Sequence, residues 1–418
     1  MKMIMSLGLC LLALMAGGCH KKPTQPPVDR TVIKGTVVDS LSGQPLPGTV
    51  ITLNTGLTTT SDSRGDFKLT GMGGGNFSLT FDKPDWRLGY CQVAVDANDS
   101  VIVDFKLHPC QWETVTVVLP WPWEYFVIIK DLCFVNEREG WAVGFSDVMG
   151  MDEGFGIILK TSDGGYTWQM QYGCPNVNQS IWDIDFVDNQ HGWACGKGGA
   201  NLLRTTDGGN TWNNVYNFPL KAISFVNRKS GLLSIGEFIY RTDNGGDSIY
   251  LVDNMTIQLG DEWYIYKIKC LDQNKAWARS RFKLFSTIDG GYNWSLVLDG
   301  LPPPFGSVWL NHPTVALECL PPGYVWVEGK FSRDNGATWE DQPSSSFGEI
   351  AGASFPTPAY GWMIGGYGFM IHTVDSGKTW VKYDFPDHRL LAIHFLSPRM
   401  GWVFAKVSGP TNRILIYK

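Results

Sequence analysis

Two columns of residues recur from residue 131 onward, and their spacing leaves few folds open to the chain. In the first, an aromatic or small residue stands seven positions before a large apolar one: Phe134/Trp141, Phe186/Trp193, Phe225/Leu232, Cys270/Trp277, Cys319/Trp326, Phe355/Trp362 and Phe395/Trp402. Gly immediately precedes the second member in five of these pairs, at 140, 192, 231, 361 and 401. The second column reads Ser/Thr-x-Asp-x-Gly-x-Thr/Asn-Trp and starts at Thr161, Thr205, Thr287, Ser332 and Thr373. Its acidic members are Asp163, Asp207, Asp289, Asp334 and Asp375. A sixth, degenerate copy is aligned on Arg241 to Ser248, with Asp243 in the acidic place.

Each unit of about 40–50 residues therefore reads strand, turn, strand, strand, hairpin, strand, which is one four-stranded blade. A blade has two apolar faces that only neighbouring blades can cover, so the units must close into a ring. The expected fold is all-β, with a seven-bladed propeller over residues 112–418. The seventh unit ends after three strands without an Asp motif, and Thr114 to Leu119 is expected to supply its fourth. Composition agrees. The two columns hold six and five Trp, eleven of the 18 in the chain, and 48 Gly with 23 Pro against 18% charged residues suits a turn-rich β protein. The net charge of −6 with scattered basic residues argues against a nucleic-acid partner, and a mean hydropathy of −0.09 excludes a polytopic membrane protein.

Residues 31–108 carry a different pattern. Period-2 runs at Val32 to Val38, Val50 to Leu53, Asp66 to Leu69, Asn76 to Phe81, Gln92 to Val95 and Val101 to Leu107 alternate with turn residues, predicting a small β-sandwich. Gly35, Val37, Asp39, Gly43, Pro45, Leu46 and Gly48, followed by Asp62, Gly65 and Phe67, resemble the carboxypeptidase regulatory-like family. That resemblance implies a transthyretin-like sandwich without peptidase activity. The Gly71 to Gly75 run lies between strands with no helix after it, so it reads as a turn rather than a phosphate loop.

The second column resembles the Asp-box, or BNR, repeat of sialidases, sortilin-type propellers and the photosystem II assembly and stability factor family. The resemblance implies that the box Asp accepts backbone N–H groups across a tight hairpin and that the Trp packs between blades, a structural role for all six acidic positions. The runs FVNEREGWAVGF and FVDNQHGWACGKGGANLLRTTDGGNTW are most similar to the assembly-factor family, which implies a non-enzymatic propeller that binds protein partners.

The N-terminus reads as an address. Lys2, the apolar run Met3 to Met15 and the small residues Ala16, Gly17 and Gly18 precede Cys19. The pattern resembles a bacterial lipoprotein signal, with residues 1–18 removed, Cys19 lipidated and residues 19–30 a Pro-rich tether. It implies an exported, membrane-anchored protein of the outer membrane, facing the periplasm or the surface, whose partners are envelope proteins. Outside Cys10 and Cys19 there are seven cysteines, so at least one thiol is free; Cys91 with Cys110 and Cys174 with Cys195 are the candidate bridges.

Motifs of catalysis are scarce in the chain. There is no Arg-Ile-Pro, no zinc-type His pair, no Walker loop and no nucleophile elbow, so no catalytic residue, metal or cofactor is expected. The acidic loop Asp147 to Gly154 lacks the alternating oxygens of a Ca²⁺ loop and reads as surface. Inner-strand residues differ from blade to blade and form the candidate binding face: Asp183, Asp185, Lys267, Lys269, Glu318 and His394, with Asp131 and Ser224 beside them. Lys160, Arg204 and Arg241 precede three successive boxes and are expected to align as a basic patch. The alternative from another class is a glycan-binding or glycoside-hydrolysing surface propeller, in which Asp183 or Asp185 works with Glu318.

Overall fold

The computed structural model describes residues 31–117, 126–147, 154–173, 179–254, 264–303, 315–342, 347–407 and 412–418. Cys19, the tether, Cys174 and most of the 147–154 loop lie outside these residues. The chain divides into two units, the first holding residues 31–83 and 88–108 and the second 84–87 and 109–418.

The first unit is a β-sandwich. Strands β1 (Thr31–Asp39), β2 (Val50–Leu53), β3 (Thr58–Thr60), β4 (Asp66–Met72), β5 (Gly75–Asp82), β6 (Gly89–Val95), β7 (Ser100–Ile102) and β8 (Phe105–Leu107) build two sheets. One runs β3-β2-β5-β6; in the other, β1 lies between β4 and β7 and also pairs with β8. Alternation puts Ile33, Val37, Ile51, Leu53, Phe67, Leu69, Leu79 and Phe81 between the sheets. The Asp62 motif forms its turn as expected: Asp62 Oδ1 accepts the N–H groups of Arg64 and Asp66 at 2.8 and 3.0 Å. The expected single strand 101–107 is broken into β7 and β8. Both pair parallel with β1, and at the break the Asp104 carboxylate accepts the Thr36 N–H and hydroxyl at 3.1 and 2.8 Å, replacing a ladder bond.

The second unit is the seven-bladed propeller, each blade a four-stranded antiparallel sheet. The inner strands, in chain order, are Phe126–Phe134, Ser180–Phe186, Ala222–Phe225, Lys267–Cys270, Leu317–Leu320, Ile350–Ser354 and His388–Ser397. Blade 7 takes its outer strand from β9 (Trp112–Val117), which pairs with Asn412–Tyr417.

The two sequence columns are the contact surfaces between blades. Trp141 stacks on Phe186 of the next blade at 3.6 Å, and Trp193 on Phe225, Trp326 on Phe355, Trp362 on Phe395 and Trp402 on Phe134 repeat this at 3.6–5.0 Å. The conserved spacing has a steric cause. In every blade with the column Phe, that ring lies against the Gly of its own blade, so closely that a Cβ on Gly192 would sit 2.5 Å from Phe186. Where the column residue is the smaller Cys270 or Cys319, the Gly place holds Ala276 or Val325. Volume is thus matched within each blade. Gly192→Ala is expected to cost about 1–3 kcal/mol by overpacking. Adding Phe186→Cys, which copies blade 4, should make the double loss smaller than the sum of the single losses by about 1 kcal/mol or more. Urea melts of the four proteins test this; additive losses would refute volume matching.

The box turns are equally regular. Asp163 Oδ1 accepts the Thr167 N–H at 2.9 Å and the Thr161 hydroxyl at 2.8 Å, while Oδ2 accepts the Thr167 hydroxyl at 2.6 Å. Asp207, Asp289, Asp334 and Asp375 repeat the pattern, with Asn293 replacing Thr in blade 4. Hydrogen bonds from Thr338 hold Asp334 down at about 2. Blade 3 corrects the sequence alignment by one residue. Asn244, not Asp243, occupies the acidic place: its Oδ1 accepts the Ser248 N–H at 3.0 Å and the Thr242 hydroxyl at 3.1 Å. Asn keeps one acceptor oxygen and turns the other position into a donor, toward the Ser248 hydroxyl at 2.9 Å. Asp243 instead pairs with Arg241 at 2.9 Å.

The sequence leaves both cysteine pairings open. Cys91, Cys110 and Cys195 are free thiols, so neither candidate bridge forms. Burial pushes the Cys133 and Cys270 thiols up to about 12, which leaves them inert packing groups.

Candidate functional site: the propeller channel

The inner strand of a blade is hydrogen-bonded to only one neighbour, so half of its backbone N–H groups point away from the ladder, toward the preceding blade, with no ladder partner. In this ring, side chains answer them by a fixed rule. Two positions on each inner strand face the following blade, and an acceptor there takes the N–H of the residue after its counterpart. Asp183 Oδ2 accepts Ile223 N–H at 2.9 Å, Asp185 Oδ2 accepts Phe225 N–H at 2.7 Å and Asp131 Oδ2 accepts Ile184 N–H at 3.4 Å. The Ser224 and Ser354 hydroxyls accept Cys270 and Phe395 N–H at 3.1 and 2.9 Å. The blade-to-blade variation noted in the sequence is therefore first of all stitching between blades.

Blade 4 breaks the rule because it carries Lys267 and Lys269 at both positions, and a lysine cannot accept. Its cations serve the acids of other blades instead. Lys267 Nζ reaches across the channel to Asp183 Oδ1 at 2.6 Å and Asp131 Oδ2 at 3.1 Å, and Lys269 Nζ meets Glu318 Oε1 at 2.9 Å. Burial opposes the charged form of Asp131, but Lys267 and the hydrogen bonds around it outweigh burial and hold it down at about 2. Asp183 is pushed up by burial and by the Asp131 charge, against the pull of Lys267. Burial raises Asp185 as well. Burial and the Lys269 charge keep His394 down at about 4, so it is neutral at pH 7.

Together these residues line a cavity of about 260 Å³ to which all seven inner strands contribute. All six predicted channel residues, Asp183, Asp185, Lys267, Lys269, Glu318 and His394, are brought together there. The three box-flanking cations are not. Lys160 Nζ donates to Gly208 O at 2.8 Å, Arg204 to Gly245 O at 3.1 Å and Arg241 to Gly290 O at 3.0 Å, each the carbonyl just after the box Asp or Asn of the next blade. Arg204 and Arg241 also pair with Asp247 and Asp243. The expected patch is thus a set of clasps between blades, with its charge largely met.

The sequence reading missed the channel mouth. Register shifts at Lys130 and Trp182 insert one extra residue into the inner strands of blades 1 and 2, and both line the cavity. Lys221 and Tyr266, from blades 3 and 4, stand at the corresponding place. Lys221 Nζ lies 4.1 Å over the Trp182 ring and 5.0 Å over Tyr264. Burial, then the charges of Lys197 and Lys130, pull its pKa down to about 7. One signal for this mouth was present: Trp182 belongs to neither Trp column, yet sits at the start of an inner strand.

Chemically the channel offers few spare groups. The carboxylates of Asp131, Asp183, Asp185 and Glu318 are bound to N–H groups or lysines, as a structural network requires. The mouth differs: it combines the exposed Tyr264 and the half-buried Trp182 and Tyr266 with two lysines, Lys130 and Lys221, aromatic and basic groups of the kind recognition sites use.

Comparison with known proteins bears out both family resemblances. Residues 32–108 match the carboxypeptidase regulatory-like domain, and residues 174–301 match the photosynthesis system II assembly factor YCF48 family. A stretch of 74 residues is 31% identical to the photosystem II stability/assembly factor HCF136 of Arabidopsis thaliana, covering 18% of this chain and 16% of that protein. The match thus spans about a sixth of the curated relative. Among solved structures, YCF48 bound to D1 peptide superposes with a TM-score of 0.54 at 21% identity, over 73% of this chain and 96% of that one. YCF48 from Cyanidioschyzon merolae gives 0.53 at 19% identity, over 72% and 98%. These likenesses show the propeller fold.

Proposed function

We propose that the chain is a non-catalytic, lipid-anchored envelope protein whose propeller binds a segment of a protein partner at the channel mouth, in support of assembly of a membrane complex. The observation that carries this reading is the mouth itself, where Lys130 and Lys221 stand among Trp182, Tyr264 and Tyr266. Aromatic faces and lysine side chains suit a polypeptide segment with acidic or aromatic side chains. A similarly folded protein is known bound to a peptide, which supports the same class of ligand. The Cys19 signal supports anchoring in the outer membrane.

The test is photo-crosslinking in intact cells from position 182, compared with position 218 on a strand-to-strand connection outside the channel. One discrete protein adduct from 182, lost in Lys221→Glu, is the expected result. Adducts of equal pattern from both positions, or none, refute mouth binding. Release of reducing sugar that disappears in Asp183→Ala or Glu318→Ala would instead establish the hydrolase alternative.

A further inference from the structure

The residue four positions before the first member of the Phe/Trp column lies at the rim of the channel in every blade, and all seven such residues line the cavity. In blades 1, 2, 6 and 7 it is the residue that a register shift inserts into the inner strand: Lys130, Trp182, Ala351 and Leu391. An inserted residue is unpaired in the ladder and can be re-aimed, here into the channel. The rim is divided in two. Blades 1–4 supply Lys130, Trp182, Lys221 and Tyr266, whereas blades 5–7 supply Val315, Ala351 and Leu391. Consecutive blades are neighbours, so a basic and aromatic arc faces an aliphatic one.

The open space lies beside the aliphatic arc. One residue deeper, blades 6 and 7 carry only Gly352 and Ala392, while on the opposite side Lys267 fills the channel by reaching Asp183 and Asp131. The cavity measures about 260 Å³. One of about 150 Å³ already admits a benzene ring, so there is room for one large apolar side chain. The basic arc sets a second condition. Lys130 and Lys221 come from blades 1 and 3 and flank Trp182 of blade 2. Their charges oppose one another: after burial, Lys197 and then Lys130 pull Lys221 down to about 7. Carboxylates brought to this arc relieve that repulsion.

An extended polypeptide answers both arcs with three residues. Successive side chains point to opposite sides, and those on either side of a central residue share one side about 6.5–7 Å apart. Given a polypeptide ligand at the mouth, as proposed above, we infer that the mouth recognises an extended Asp/Glu–apolar–Asp/Glu tripeptide, its central side chain entering the cavity along blades 5–7 and its two carboxylates meeting Lys130 and Lys221. Residue order then matters as much as charge, because a permuted tripeptide sends one carboxylate into the aliphatic arc.

The experiment is isothermal titration calorimetry of the whole chain with acetylated, amidated pentapeptides. Gly-Asp-Phe-Asp-Gly is expected to bind with a Kd below about 1 mM. Its permutation Gly-Phe-Asp-Asp-Gly, of identical charge and composition, should bind about five-fold more weakly. Gly-Asp-Ser-Asp-Gly, which lacks the apolar side chain, should lose about ten-fold. Lys130→Gln and Lys221→Gln should each weaken the first peptide about three-fold at unchanged thermal stability. Equal affinity for the two isomers, or no binding of the first peptide up to about 1 mM, overturns the inference. If position 182 still gives its discrete adduct, lost in Lys221→Glu, the tripeptide motif alone falls. If neither the adduct nor peptide binding is seen, the polypeptide ligand falls with it.

Discussion

Removing Trp112–Val117 is expected to unfold the propeller as a whole, with no residual seven-minus-one intermediate. This short strand is contributed from before the first blade, yet it closes the last one, pairing over its full length with Asn412–Tyr417. Its Trp112 ring packs edge-on against Trp362 at 5.4 Å and Phe395 at 6.0 Å and tilts against Tyr417 at 5.1 Å. Val117 is buried in the cluster that joins blade 7 to blade 1. Glu113 binds Lys418 at 2.7 Å and accepts the Tyr166 hydroxyl of the first box turn at 2.8 Å, so the strand touches both sides of the seam. Loss of a mostly buried aromatic alone costs about 3–5 kcal/mol in a core. Loss of the ladder exposes a further row of backbone groups, and the sum is comparable with the total stability of a typical domain, about 5–15 kcal/mol. Tryptophan fluorescence reads the propeller alone, since residues 31–83 and 88–108 contain no Trp. Gln111 and Lys418 exchange backbone bonds at 3.0 and 3.2 Å, so the same strand attached after Lys418 through a short linker should restore the melt. A deletion variant that melts at the wild-type temperature, or a permutant that fails to recover, would show that the seam is not what holds the ring.

The ring and its period were legible because the interfaces between blades are made by a few large residues at fixed spacing. A Phe, a Gly and a Trp recur together in four of the seven units, with near variants in the others, and repetition makes the pattern visible. The closing strand could be inferred because the seventh unit lacked one. The sandwich was legible from alternation and turn residues, except at Val103 and Asp104, where a side chain takes over a ladder bond that periodicity cannot foresee. The candidate site was read less well. Position on the inner strand correctly gathered Asp183, Asp185, Lys267, Lys269, Glu318 and His394, but their partners are N–H groups and charges of other blades, 40 or more residues away. Lys130 and Trp182 escaped because a bulge turns the residue that alternation would face elsewhere. Arg241 displaced the blade 3 alignment by one, because Asp243 resembles a box Asp in sequence while Asn244 does its work.

Lys267 carries the second large effect, and its sign depends on pH. In the wild type, Lys267 is held charged by Asp131 and Asp183, so its contribution is present at neutral pH and would be lost only in strong alkali. Asp131, held down at about 2, contributes stability above its unfolded pKa near 4, and that contribution is lost as pH falls from there toward 2. Lys267→Met removes the cation from the buried Asp183 and the half-buried Asp131, which then face one another with only their backbone N–H donors left. Breaking a buried pair in this way costs about 3–5 kcal/mol where the orphaned group is charged. The cost must fall in acid, because both carboxyls of the variant are pushed above their unfolded values by burial and mutual repulsion. A carboxyl raised in the folded state stabilises below its unfolded pKa and loses that contribution as pH rises. The variant should therefore lie closest to the wild type near pH 4 and fall furthest below it near pH 8. Asp131→Asn and Asp183→Asn, added together to Lys267→Met, keep an amide oxygen for Ile184 and Ile223 N–H while removing the charge. That triple variant should lose the pH dependence and recover most of the stability at pH 8. Urea denaturation of the three proteins across pH 4–8 measures each term. A Lys267→Met loss that stays constant with pH would mean that the lysine stem, rather than its charge, fills the channel.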